Sequence, residues 1–236
     1  MANEILGHGV TVVLVGSFNP AIFSPAWLAA TGLISRDDAE TSEVGVIHPQ
    51  LAEFKSLDVA FSIQPDRFQL STTQSPFVRL ADWVGVIFGT SLVHTPITQA
   101  GINYSCHFAA STELKRYRLG RALAPLEPWG DWGKLLSGDD DLFTVGGMRS
   151  IVMMQPHVDG RTKGHRQVQV EPSFRSEIVN PRVGIFMSIN DHYEAPSSGS
   201  GQSTRDCVSW VTTEFDNSLS FSRSIVEQIQ SYTESL

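Results

Sequence analysis

The chain has 236 residues, 41% of them hydrophobic, and its 17 basic and 25 acidic residues give a formal net charge of −8 at pH 7. This length and composition exclude a disordered chain and suffice for one large folded domain. The negative charge argues against a protein that binds nucleic acid regardless of sequence, because neutralising phosphates requires a basic surface. Two short basic clusters, at 115–121 and 161–166, are interpreted as solvated surface.

The N-terminal half begins with a strand and a short helix. Residues 10–16 form an apolar run rich in β-branched side chains, which predicts a buried strand. Ser24 is a favourable N-cap and Pro25 suits the first position of the helix that follows. Alternating apolar and polar residues over 44–54 and 57–72 then predict half-buried antiparallel strands.

Two segments have the apolar spacing of three and four residues that predicts an amphipathic helix. One begins at Ser75, and the other lies at the C-terminal end of the sequence, over 208–229. Further strands are predicted at 97–110, 148–154, 166–170 and 183–190. The intervening segment 113–145 has no regular period and is predicted to be irregular.

The order of these elements predicts an α+β fold with one or more mixed or mainly antiparallel sheets and two long helices packed on one face. Residues 1–236 are expected to form a single domain. Two related strands-then-helix halves, 1–112 and 146–236, remain possible within it, joined by the irregular segment 113–145. Residues 195–203 have the Ser- and Gly-rich composition of a flexible tether.

The cysteine count and the hydropathy pattern predict a cytoplasmic protein. Cys106 and Cys207 match no zinc or redox spacing and are expected to be thiols in a reducing compartment. The first residues lack the basic and apolar regions of a signal peptide, and no stretch is apolar for long enough to cross a membrane. We therefore expect no membrane association.

The most concentrated polar motif follows the predicted strand 183–190. It contains Asp191, His192 and Glu194, which are residue types that can bind a hydrolytic metal or act as acid and base. His157 and Asp159 could join Asp191 and His192 as metal ligands if the neighbouring strands pair. The alternative is that the motif is a solvent-exposed polar turn, and that Asp159 serves an Asp-Gly turn.

Other motifs give no further catalytic site. Cys106 and His107 are adjacent on a predicted strand and therefore point to opposite faces, although His107 could act with a distant residue. The sequence contains no dinucleotide fingerprint, phosphate loop, nucleophile elbow, paired-histidine metalloprotease motif or kinase motif set. No cofactor is predicted, apart from a divalent metal if the Asp191 motif is catalytic.

Trp129 and Trp132 lie among prolines and glycines in the irregular segment. Aromatic side chains in such loops are common anchors of protein interfaces. They are equally consistent with a lid that packs over the sheet. Both interpretations remain open from the sequence.

Several stretches resemble a family of sporadically distributed bacterial proteins of similar length, over about half of the chain. They are Phe61-Ser62-Ile63-Gln64, Asp66-Arg67-Phe68, the helix with Trp83 and Phe88, the strand Ile97 to Asn103, the strand end at Asn190-Asp191 and the helix with Phe215-Asp216. The resemblance implies an α+β fold and a bacterial, cytoplasmic setting. It implies no reaction and no catalytic residue.

Two hypotheses of function follow. The first is a non-catalytic interaction or assembly protein that binds itself or another bacterial protein through the Trp129 to Trp132 segment or the C-terminal helix. The alternative is a metal-assisted hydrolase of the phosphoester class, in which Asp191, His192 and Glu194 hold the metal or transfer protons.

Overall fold

The fold is built on a large antiparallel sheet. The computed structural model describes residues 4–136, 146–158, 160–161, 163–196 and 200–236. Within them nine strands form one sheet in the order β2-β3-β4-β5-β1-β6-β9-β8-β7. The strands are β1 Ile5–Gly16, β2 Glu43–His48, β3 Leu51–Ser56, β4 Val59–Gln64, β5 Arg67–Thr72, β6 Ile97–Ala109, β7 Ile151–Gln155, β8 Gly164–Pro172 and β9 Gly184–Glu194.

The helices differ greatly in length. They are α1 Pro25–Ala30, α2 Arg36–Glu40, α3 Arg79–Val86, α4 Glu113–Leu123, α5 Gly130–Leu136 and α6 Ser200–Ser235. A π-helical turn, Ile87–Ser91, extends α3, and 3-10 turns lie at Pro20–Ile22 and Glu127–Trp129. Among the described helices, none combines the length and the apolar character needed to cross a bilayer.

Helices α3 and α6 cover one face of the sheet. On β6, Ile102, Tyr104 and Phe108 are buried, whereas the intervening Asn103 and His107 remain partly exposed. The buried row forms one core with apolar residues of α6, α3 and the π-helical turn. They are Val211, Phe215, Leu219 and Val226 of α6, Leu80 and Val84 of α3, and Ile87 of the turn. The predicted α+β class and the antiparallel sheet are therefore confirmed, as is the long C-terminal helix.

Two finer predictions about the architecture are not confirmed. Among the described helices only α6, with 36 residues, is long. The helix expected after Ser75 is the eight-residue α3, followed by its π-helical turn. Residues 1–112 contribute six strands and 146–236 contribute three, so the structure does not show two equivalent halves. β9 pairs along its whole length with residues 99–109 of β6, which makes the sheet continuous across both segments.

The segment predicted to be irregular contains two helices, α4 and α5. Leu119 is the one buried residue of α4, so the helix lacks the apolar stripe that would have predicted it. Its start is nevertheless well defined, because the backbone N–H of Lys115 donates to Oγ1 of the N-cap Thr112 at 3.2 Å. Residues 137–145 of this segment lie outside the described part of the chain.

The predicted tether is partly helical. α6 begins at Ser200, so residues 200–203 belong to its first turn, and residues 197–199 lie outside the described part. Thr204 then fixes the helix to the sheet. Its Oγ1 donates to the carbonyl of Thr95 at 2.7 Å and accepts from the N–H of Ile97 at 3.1 Å. These bonds attach the start of α6 to the start of β6.

Candidate functional site

An exposed aromatic cluster lies on the turn before α5 and on α5 itself. The exposed fractions are 58% for Trp129, 56% for Trp132 and 73% for Leu135. The two indole rings contact each other edge to face, with centroids 5.3 Å apart. Trp132 and Leu135 are three residues apart on α5 and therefore lie on one side of it. We call Trp129, Trp132 and Leu135 the tryptophan patch.

Two glycines shape the backbone beneath the tryptophan patch. Gly130 has a φ of +56°, a left-handed conformation that glycine adopts without steric cost, and it joins the 3-10 turn to α5. A Cβ atom at Gly133 would lie only 2.3 Å from the carbonyl oxygen of Leu126. Because Leu126 is buried, this close approach holds α5 against the protein and leaves the patch facing solvent.

The exposure of both tryptophans does not fit a lid packed over the sheet. A lid would bury the indole rings against apolar side chains, whereas more than half of each surface here is open to water. Most apolar residues of the other proposed interaction element, α6, lie in the core, whereas its Tyr232 is 45% exposed. The tryptophan patch is therefore the more exposed of the two predicted interaction segments.

Asp191 lies on the helix-covered face of β9 and is fully buried. Arg161 contacts both of its carboxylate oxygens, with Nη2 to Oδ2 at 3.0 Å, and Nε of Arg166 is 3.3 Å from Oδ2. Ser218 of α6 donates its hydroxyl to Oδ2 at 2.7 Å. The carboxylate is thus occupied by two arginines and a serine, and it links the sheet to α6.

Hydrogen bonds and charge keep Asp191 ionised. Burial alone would raise its pKa, but the hydrogen bonds from Arg161 and Ser218 and the charges of Arg161 and Arg166 outweigh burial and hold the pKa below its usual range. The side chains of both arginines are largely buried, with 6% and 20% exposed. The interpretation of cluster 161–166 as solvated surface was therefore wrong for these two residues.

Aromatic rings complete the environment of the two arginines. The guanidinium of Arg161 lies 4.9 Å from the ring of Trp210, and that of Arg166 lies 4.2 Å from the ring of Phe221. Tyr193 stacks on Trp210 with the rings nearly parallel and 5.2 Å apart. Since Trp210 and Phe221 belong to α6, these contacts add to the attachment of the helix.

His192 and Glu194 lie on the opposite, uncovered face of β9. His192 pairs across the sheet with His165 of β8, and the two rings are 4.7 Å apart. Glu194 forms a salt bridge with Lys163, with Nζ 3.0 Å from Oε1. Burial and the nearby charge of His165 lower the pKa of His192. The strand therefore separates Asp191 from the other two residues of the predicted motif.

The structure does not bring His157, Asp191 and His192 together as a set of metal ligands. His157 is exposed in the connection between β7 and β8, and Asp159 lies outside the described residues. Over the described ranges, no three His, Cys, Asp or Glu side chains are close enough to share a metal ion. Metal binding at Asp191 would require displacing Arg161, Arg166 and Ser218 from its oxygens.

His107 has a distant partner that the sequence did not reveal. Its Nδ1 lies 2.8 Å from Oγ of Ser173, and its ring contacts Phe186. The pair borders a cleft of about 840 Å³ on the uncovered face of the sheet. Ser173 is only 2% exposed, so its hydroxyl positions His107 and is not accessible as a nucleophile. Burial and the charge of Arg175 lower the pKa of His107.

Neither cysteine has the properties of a reactive thiol. Cys106 and Cys207 are both fully buried. Burial raises the pKa of each thiol to about 12, so the thiolate is scarce at neutral pH. Both are therefore core residues.

No protein family model matches the chain, and no curated protein matches it either.

Proposed function

We propose that this protein is a non-catalytic interaction protein that binds another protein through the tryptophan patch. The observation that carries the proposal is the exposure of Trp129 and Trp132, both of which are more than half open to solvent while touching each other. Tryptophan is enriched among the residues that contribute most to binding energy at interfaces. The cytoplasm of a bacterial cell is the setting we propose for this binding.

The chemistry of the patch favours a protein partner. Its three side chains are large and apolar, and the charged residues beside them, Asp131 and Lys134, form a salt bridge with each other at 2.7 Å. This arrangement offers an apolar centre with a small polar rim, which is the usual organisation of a protein interface. The net charge of −8 argues against nucleic acid as the partner.

The backbone beneath the patch supports the proposal. Gly133 holds α5 against Leu126, so the tryptophans are presented from a fixed backbone and not from a long loop. A rigid binding surface loses little conformational entropy when a partner docks. The 3-10 turn ends at Trp129 and α5 begins at the next residue, which keeps the two indole rings in contact before binding.

Site-specific photo-crosslinking in the native cells tests the proposal. A photoreactive amino acid at Leu135, which is 73% exposed, should give an adduct of defined mass with a partner protein. The same amino acid at Gln50, in the exposed turn between β2 and β3, is the matched control. Equal labelling from both positions would contradict the proposal.

Truncating the two tryptophans provides the second arm of the test. The variants W129A and W132A should each weaken binding by about 2 kcal/mol or more, or roughly thirtyfold, because each removes an exposed aromatic anchor. Their melting temperatures should match the parent's, since neither side chain is in the core. Unchanged crosslinking from Leu135 in the double variant would show that the patch does not bind.

A further inference from the structure

The sheet has two edges, β2 and β7, and they differ in how they are protected. β2 contains Glu43 and has a register shift against β3 between Val44 and Val46. A charge and a bulge are common devices that prevent an edge strand from pairing with another chain. β7, with the sequence Ile-Val-Met-Met-Gln, contains no charged residue or proline and pairs with β8 without a shift.

β7 exposes an unusual amount of apolar surface for an edge. Val152, Met153 and Met154 are 49%, 66% and 58% exposed. Alternate backbone N–H and C=O groups of an edge strand point away from its one neighbour. Among the described residues no strand pairs with the outer side of β7, which carries three consecutive exposed apolar side chains.

We propose that β7 pairs antiparallel with β7 of a second copy of this chain, with Met153 on the two-fold axis. In that register Val152 of each copy faces Met154 of the other, and the two Met153 residues face each other. These central contacts are apolar, Ile151 of each copy faces Gln155 of the other, and neither strand contains a charged residue. In a protein with a net charge of −8, this neutral strand is a place where two copies approach with little repulsion.

The difference between the edges also explains why the partner is a second β7. Pairing of β7 with β2 of the next copy would be head-to-tail and would continue into an open filament. Glu43 and the bulge of β2 oppose that contact. Pairing of β7 with itself uses the same surface twice and closes after two copies. This interface is separate from the tryptophan patch and extends the proposed function to self-association.

Disulfide trapping of the full chain tests the register. Facing residues in an antiparallel pair have Cα atoms about 4.5 to 5.5 Å apart, which a disulfide can span. The variant M153C should therefore form a disulfide-linked dimer as its main oxidised species. V152C and M154C should crosslink much less, because each faces the other position. The native cysteines are buried and do not interfere.

The control for the M153C crosslink lies on β2, at the opposite edge of the sheet. Val44 of β2 is 54% exposed, so V44C reports random collisions between exposed edge strands. Crosslinking of M153C at no more than the level of V44C would overturn the inference.

Sedimentation velocity provides an independent measurement without oxidation. The parent should be a dimer, and M153K should weaken dimerisation at least about tenfold, because two like charges would face each other on the axis. Met153 is two-thirds exposed, so the melting temperature of M153K should be unchanged. A monomeric parent, or an M153K variant that still dimerises as the parent does, would refute the inference.

The double variant W129A/W132A separates this inference from the proposed function. It should dimerise as the parent does while losing the photo-crosslink from Leu135. Loss of the dimer in this variant would place self-association at the tryptophan patch and overturn the role of β7. Conversely, M153K should remain able to form the crosslink from Leu135.

Discussion

Asp191 shows how a single residue can have a role different from the one its neighbours suggest. In the sequence it belongs to a cluster with His192 and Glu194 that resembles a metal site. In the structure, side chains alternate between the two faces of β9. Asp191 therefore points toward α6, whereas His192 and Glu194 lie on the uncovered face. That separation follows from strand geometry alone, whereas the arrival of Arg161 and Ser218 depends on the tertiary fold.

Replacing Asp191 tests its role as an anchor. D191N should lower the free energy of unfolding at pH 7 by about 3 to 5 kcal/mol, because it leaves two largely buried arginines without their counter-charge. S218A, which removes one hydrogen bond and keeps all charges, should cost about 1 to 2 kcal/mol. Denaturant titrations measure both. A smaller loss of free energy of unfolding in D191N than in S218A would contradict the role of Asp191 in attaching α6 to the sheet.

The carboxylate of Asp191 also makes the free energy of unfolding depend on pH. The pKa of Asp191 is lower in the folded than in the unfolded chain, so its stabilisation is complete above about pH 4 and is lost as the pH falls through the folded pKa. Between about pH 4 and about pH 2, the free energy of unfolding should therefore fall less in D191N than in the parent. Parallel acid-loss curves for the two proteins would refute this coupling.

The pair His165 and His192 offers a spectroscopic prediction. Burial is the main cause of the lowered pKa of His192, and the charge of His165 adds to it. H165Q removes that charge and should raise the pKa of His192 part of the way to its ordinary value of about 6.5. NMR titration of the ring protons measures the change. An unchanged or lower pKa in H165Q would mean that the two rings do not interact.

Among the elements, α6 shows which patterns in a sequence can be interpreted and which cannot. Its apolar spacing predicts a long amphipathic helix, and the structure confirms it. α4 was missed because only Leu119 of its eleven residues is buried, and the polar positions carry no period. The tether was predicted from composition alone, although Ser200 begins a helix that tertiary contacts of Thr204 fix.

The apolar face of α6 should account for most of its contribution to stability. F215A removes a fully buried ring from the core and should cost about 3 to 5 kcal/mol, whereas D216A, at the next and exposed position, should stay within about 0.5 kcal/mol. Urea unfolding of the two variants makes a matched comparison. Similar losses in both would mean that α6 does not pack on the sheet as described.

For the whole molecule, the sequence predicted the class of fold and an antiparallel sheet, but not the strand order. β1 lies at the centre because it pairs with β5 on one side and β6 on the other, and no residue pattern within β1 specifies those partners. The contrast between the two edges is likewise visible only once the order is known. Local periodicity describes elements, whereas pairing depends on contacts between residues far apart in the chain.

The strand order sets an expectation for hydrogen exchange. Backbone amides of β1 and β6 should exchange slowest, since both strands are paired on two sides under α6 and α3. Amides of β2 should exchange faster, and those of β7 should gain protection as the protein concentration rises and copies pair. Mass spectrometry of exchanged peptides measures both. Protection of β7 that does not change with concentration would speak against pairing.

The central position of β1 also affects the nascent chain during synthesis on the ribosome. β1 ends at Gly16, while the strands that flank it begin only at Arg67 and Ile97. On a translating ribosome its apolar stretch therefore emerges long before any neighbour exists to cover it. Such an unpaired strand is prone to aggregate, so the nascent chain should depend on a chaperone at the tunnel exit until β6 has been synthesised.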